Sequence, residues 1–136
     1  MVTLTPQEVM IYLMVVVSAS DNRMADQELQ RIGFVIRALP AFDGFDEEDL
    51  IPAAQACQRM LIGPDGLDRV LDLARSNLPE KLHDTAYALA FEIASADRFE
   101  RPEELRVLQL LRQRLSIDAA TVTAIENAAR IRHRPL

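Results

Sequence analysis

The sequence predicts an all-α fold: a compact single domain, 1–136, of about seven helices. Three observations carry that expectation. Four glycines and seven prolines in 136 residues are too few to punctuate a fold of many short strands. No segment alternates apolar and polar residues at the period of two that a half-buried strand needs. Two stretches, 13–39 and 89–115, align without a gap as an apolar helix, a short polar turn and a second apolar helix.

Each element follows from local chemistry. Thr5-Pro6-Gln7-Glu8 starts the first helix, with Thr5 as cap, Pro6 at the first helical position and Glu8 completing a capping box. That helix should run to about Ser20. Residues 9 to 17 are apolar on every side, so it should be buried all round rather than amphipathic. A second helix, from about Asp26 to Leu39, places Leu29, Ile32, Val35, Ile36 and Leu39 at helical spacing and stops at Pro40. Asp46-Glu47-Glu48-Asp49 opens a third, from about 46 to 62, because carboxylates are favoured at a helix N-terminus. Gly63-Pro64-Asp65-Gly66 breaks the chain.

A fourth helix covers about 65 to 76. Pro79 begins a fifth, apolar around most of its circumference like the first. Pro102 opens a sixth, with Leu105, Leu108, Leu111 and Leu115 on one stripe. Ser116 or Asp118 caps a seventh that ends near Arg130, and residues 130–136 read as a frayed basic tail. Helices one and five should sit at the centre, since only a helix packed on all sides tolerates such apolar runs. Each core aliphatic or Phe side chain then contributes roughly 1.5–3 kcal/mol.

Composition narrows the function classes. The chain carries 21 acidic and 15 basic residues, a net charge of −6. That excludes nucleic acid as the main partner, because phosphate recognition needs a concentrated basic surface. The apolar run from Val9 to Val17 is well short of the roughly 20 residues that span a bilayer, so no membrane insertion is expected. The start MVTLTPQEV lacks the basic opening of a signal peptide, and a cytoplasmic location is expected. Cys57, the single cysteine, fits a helix interior as a small buried apolar group. His83 and His133 lie too far apart for a zinc motif, and His83, next to Asp84, is expected on an exposed face. The five carboxylates between Asp43 and Asp49 read as a solvated helix start rather than a docking patch.

The repeat holds the candidate site. Asp21 aligns with Asp97 and Glu28 with Glu104, among five identities in 27 positions. In each copy one carboxylate ends an apolar helix and another opens the next. Glu92 joins them as the single charge in the apolar stretch from Tyr87 to Ala96, one turn before Asp97.

This layout resembles the tellurite-resistance protein B family (TerB-like domains). Ser20-Asp21-Asn22 leads to Asp26-Gln27-Glu28-Leu29, and Ala96-Asp97-Arg98 leads to Pro102-Glu103-Glu104-Leu105, across roughly residues 5 to 130. The family's usual glycine after the aspartate is replaced by Asn22 and Arg98. The resemblance implies an all-helical, cytoplasmic, non-enzymatic module of bacterial stress and tellurite-resistance systems. It also implies that the acids at Asp21, Glu28, Asp97 and Glu104 hold a divalent metal ion, calcium or magnesium.

Two readings of those acids stand beside each other. In one they fix the turns, Asp21 and Asp97 reaching the free N–H groups of the next helix and Glu28 and Glu104 favoured by its dipole. The module is then a purely structural or dimerising interaction domain. In the other, Asp21, Glu28, Glu92, Asp97 and Glu104 bind a cation or a protein partner. Neither turn is an EF-hand, since twelve-residue loops from Asp21 and Asp97 end at Ile32 and Leu108 rather than Glu. One turn supplies too few oxygens for calcium, so both must be pooled. Pooling requires helices one and five to end on the same side. An enzyme using paired carboxylates as acid and base would need a concave pocket and a carboxyl with a raised pKa, to which the sequence does not point. Oligomeric state is left open.

Overall fold

The first helix begins as its sequence implies. Glu8 N–H donates to Thr5 Oγ1 at 3.1 Å, and Thr5 N–H donates to Glu8 Oε1 at 3.0 Å, closing the capping box. The computed structural model describes residues 3–18, 26–96 and 102–136. Among them run α1 (Pro6–Ser18), α2 (Asp26–Ala38), α3 (Leu50–Ile62), α4 (Gly66–Asn77), α5 (His83–Ala96), α6 (Pro102–Arg114) and α7 (Ala119–Arg132), with no strand. Single 3-10 turns, Glu47–Asp49 and Glu80–Leu82, precede α3 and α5, which therefore start a few residues later than the sequence implies. Asp46 caps the first of these turns, its Oδ1 accepting from Glu48 N–H at 2.9 Å.

Every residue from Val9 to Val17 is buried, and α1 touches α2, α3, α4, α5 and α6. A helix without a polar face thus sits where solvent never reaches it. Helix α5 is the second central rod, packed on α1, α2, α6 and α7. Cys57 of α3 is buried against α1, its Sγ donating to the Tyr12 carbonyl at 3.6 Å. Burial pushes its thiol pKa up to about 12, so it is a neutral core group.

Long-range hydrogen bonds fix the direction of each helix. Leu4 N–H, just before α1, donates to Asn77 Oδ1 at the end of α4. Gln7 Nε2 donates to the carbonyls of Ala41 and Asp43, beyond the end of α2. The start of α1 therefore lies beside the ends of α2 and α4 and, through the Leu78–Leu82 link, beside the start of α5. Ser116 N–H, past the end of α6, donates to His83 Nδ1 at 2.9 Å, which brings the end of α6 to the same side. Successive helices alternate up and down, with α1 and α5 parallel.

The corner between α3 and α4 is tight. Asp65 takes a left-handed backbone, φ 55°, and a Cβ on Gly66 would stand 2.5 Å from the Met60 carbonyl oxygen and 2.7 Å from Leu61 Cα. Only hydrogen fits there.

Three sequence expectations are corrected. His83 is not exposed: it is 5% accessible, its Nε2 bonded to the Leu78 carbonyl at 3.0 Å and its Nδ1 to Ser116 N–H. The two bonds suit the neutral ring with its proton on Nε2. In α6 the buried stripe is Glu104, Val107, Leu108 and Leu111, whereas Leu105 is 48% exposed. Leu108, Leu111 and Leu115 are buried as expected, and in the first turn Glu104 takes the buried place expected for Leu105. The segment 130–136 is not wholly a frayed tail, because α7 continues to Arg132, and Arg132 and His133 both engage Glu92.

Candidate functional site

The parallel run of α1 and α5 has a direct consequence for the acids. Ser18 and Ala96, which end these helices, lie on one side of the bundle, as do Asp26 and Pro102, which open α2 and α6. The condition for pooling the two turns is met by the helix directions. Asp21 and Asp97 themselves fall outside the described residues.

Glu28 and Glu104 occupy matching places, each the third residue of its helix. Their environments differ. Glu28 is partly buried, whereas Glu104 is 1% exposed among the side chains that pack α6 against α5 and α1. Such burial of a carboxylate is costly unless it is compensated by partners. The Ser18 hydroxyl, on the last residue of α1, is also buried and has no hydrogen-bond partner among the described residues. A neutral hydroxyl oxygen is thus placed at the end of α1.

Glu92 is engaged elsewhere. Its two carboxylate oxygens meet Arg132 and His133, tying the middle of α5 to the end of α7. Burial by itself would raise the Glu92 pKa, but the hydrogen bonds and charges of Arg132 and His133 outweigh it, and the carboxyl is held below its ordinary value. One further cluster links the same helices nearer their starts. Tyr87 Oη donates to Glu126 at 2.6 Å, and Arg112 of α6 donates to the same oxygen at 2.7 Å. Burial, followed by the Glu126 hydrogen bond and charge, raises the Tyr87 phenol well above its usual value. The sequence analysis passed over this triad, whose members are separated by 25 and 14 positions and share no local motif.

Among the described residues no group of three or more His, Cys, Asp or Glu side chains is arranged to hold a metal ion. Glu28 and Glu104 bring hard oxygen donors of the kind calcium and magnesium take. No helix among the described residues is long and apolar enough to cross a membrane.

Sequence reasoning also passed over a groove at the other end of α1. It encloses about 460 Å³ and is lined by Thr5 and, in α1, Gln7, Glu8 and Tyr12, by Gly44 to Asp46 of the connection between α2 and α3, by Asp49, and by Pro52, Ala53 and Ala56 of α3. The carboxylates of Asp46 and Asp49 were legible only as part of a helix start. Their place in a concave surface depends on α1 and α3 lying side by side.

This arrangement defines a class: an all-helical module built around two parallel buried rods, each continued by a helix that opens with an acid on the same side. The chain belongs to the TerB family, its residues 7–127 matching the family model described as tellurite resistance protein TerB. Neither the curated proteins nor the solved structures yield a match to it.

Proposed function

We propose that this chain is a non-enzymatic, cytoplasmic module of a bacterial tellurite-resistance and stress-response system. In this reading its acid-bearing end binds a divalent cation, calcium or magnesium, and docks a protein partner there. The observation that supports it best is the parallel packing of α1 and α5, since the two repeats can then contribute oxygens to one place. Asp21, Asp97, Glu28 and Glu104 are the proposed ligands. The Ser18 hydroxyl, without a hydrogen-bond partner among the described residues, adds a neutral oxygen on the same side. Glu92 stands apart, because both its oxygens are engaged by Arg132 and His133.

A second reading rests on the dipole. Glu28 and Glu104 lie in the first turns of α2 and α6, where carboxylates are favoured without any ligand. The acids then serve only to hold an interaction domain in shape.

Thermal unfolding with and without millimolar calcium or magnesium separates the two. A cation that binds only the folded state stabilises it by about 2.7 kcal/mol at 100 times its Kd. The expected result is a rise in Tm that is lost in Asp97→Asn. No rise, or the same rise in Asp97→Asn, overturns the cation reading.

A further inference from the structure

The groove between α1 and α3 lies toward the end of the bundle where α1 begins, away from Ser18 and Ala96, which end α1 and α5. Helix α1 has 13 residues, so about 20 Å separates its start, at the groove, from its end at Ser18. The groove combines three features. Its walls are apolar: Phe45, Pro52, Ala53 and Ala56 line it. Its other lining side chains include the carboxylates of Glu8, Asp46 and Asp49, and no basic residue lines it. Arg59 is the nearest base along α3, a turn past Ala56, and it is exposed.

The third feature is Tyr12. It is only 5% exposed and lines the groove, yet among the described residues its hydroxyl makes no hydrogen bond. The Glu8 carboxylate and the Arg59 guanidinium are both close enough to act on the phenol electrostatically, in opposite directions. A buried phenol usually finds a partner. Here the phenol borders a space large enough for a ligand.

Two of the carboxylates also keep free acceptor capacity. Glu8 uses Oε1 for the Thr5 amide and Asp46 uses Oδ1 for the Glu48 amide. A second depression of about 240 Å³ shares Gly44 and Phe45 with the first and continues past Arg37 and Glu47. At Gly44, with φ +82°, the place a Cβ would take is open space. The surface is thus elongated, with a charged deep half and an open path leading away over a residue without a side chain.

We propose that this groove docks an extended basic segment of a protein partner, with one lysine or arginine side chain entering between α1 and α3. The aliphatic stem packs on Phe45, Pro52, Ala53 and Ala56. The cationic head meets Glu8, Asp46 and Asp49 and donates to the Tyr12 hydroxyl oxygen. The chain of the partner passes over Gly44. An elongated open surface fits a peptide better than a free polyamine, which carries no backbone to lie along the second depression. The proposal is independent of the cation site, since it uses none of its residues.

The test is an NMR titration of the 15N-labelled full chain with a lysine-containing heptapeptide, the same peptide acetylated on its lysines, and spermidine. The expected result is shifts clustered at residues 5–12, 44–49 and 52–56 with the unmodified peptide. They should be lost on acetylation and weakened at least fivefold in Asp46→Asn/Asp49→Asn, whose melting temperature stays within a few degrees of the parent. Tyr12→Phe should weaken binding without moving the shifts elsewhere. Shifts confined to the acid-bearing end, equal response to the acetylated peptide, or response to spermidine alone would each overturn it. So would shifts in the groove that depend on protein concentration without peptide, since a second copy would then be the occupant.

Discussion

His83 and Ser116 join the beginning of α5 to the end of α6 through a ring nitrogen that accepts a backbone N–H at 2.9 Å. The opposite nitrogen of the same ring meets the Leu78 carbonyl at 3.0 Å. One buried imidazole therefore satisfies two main-chain groups from connections 38 positions apart, both left over where helices stop. Removing the ring strands both. His83→Ala should cost about 2–6 kcal/mol, since each of the two buried polar groups left without a partner costs about 1–3 kcal/mol. Urea unfolding followed by circular dichroism measures it. A loss below about 0.5 kcal/mol would mean that water replaces the ring at both places.

Gly66 begins α4 at a place where the backbone of α3 passes too close for any side chain. The neighbours a Cβ would strike, the Met60 and Leu61 carbonyl oxygens and Leu61 Cα, are main chain inside a helix and cannot rotate away. Gly66→Ala should therefore destabilise the fold by about 1–3 kcal/mol, the range for overpacking a close contact, although alanine is the better helix former. Gly44→Ala makes the matched control. A Cβ there meets nothing within 4 Å, and its cost comes from a left-handed backbone alone, about 1–2 kcal/mol. Thermal melts of the two variants compare a steric penalty with a conformational one.

The helices were legible because their signals are local. The Thr5–Glu8 box, the unbroken apolar run of α1, Pro40 and the Gly63–Gly66 break each act within a few residues, and the structure uses all of them. The centrality of α1 and α5 followed from the same runs. The side chains that matter for function were harder to read. Leucines at 105, 108, 111 and 115 form as good a stripe as the one observed, and only the packing of α6 on α5 selects Glu104 over Leu105. Tyr12 reads as one more apolar residue of α1 until α3 is laid beside it and leaves its hydroxyl facing a groove. His83 looked like surface because nothing near it in sequence announces Ser116. The repeated acids were found by alignment, and the direction of α1 relative to α5, which decides whether they can meet, came from bonds such as Leu4 to Asn77.

Glu92 supplies a pH test of how the end of α7 is held. Its carboxyl pKa is lower in the folded chain than when unpaired, so the unfolded state binds the proton more readily. A group of this kind adds stability that is fully present above the unfolded carboxyl value, about 4.3, and that is lost as the pH falls through the lower folded value. Glu92→Gln removes the contribution at every pH. The difference in unfolding free energy between the parent and Glu92→Gln should therefore be constant from pH 7 to about 5 with respect to this carboxyl. It should shrink steadily below about pH 4 and vanish once the folded carboxyl is protonated. Arg132→Gln should reproduce part of the loss, because it removes one of the two groups that hold the carboxyl down. Limited proteolysis reads the same contact locally: tryptic cleavage after Arg130, before Ile131, should accelerate in both variants at neutral pH. A difference that grows on acidification would mean that Glu92 is held at a raised rather than a lowered pKa, and the tie between α5 and the end of α7 would then not rest on an ionised carboxylate.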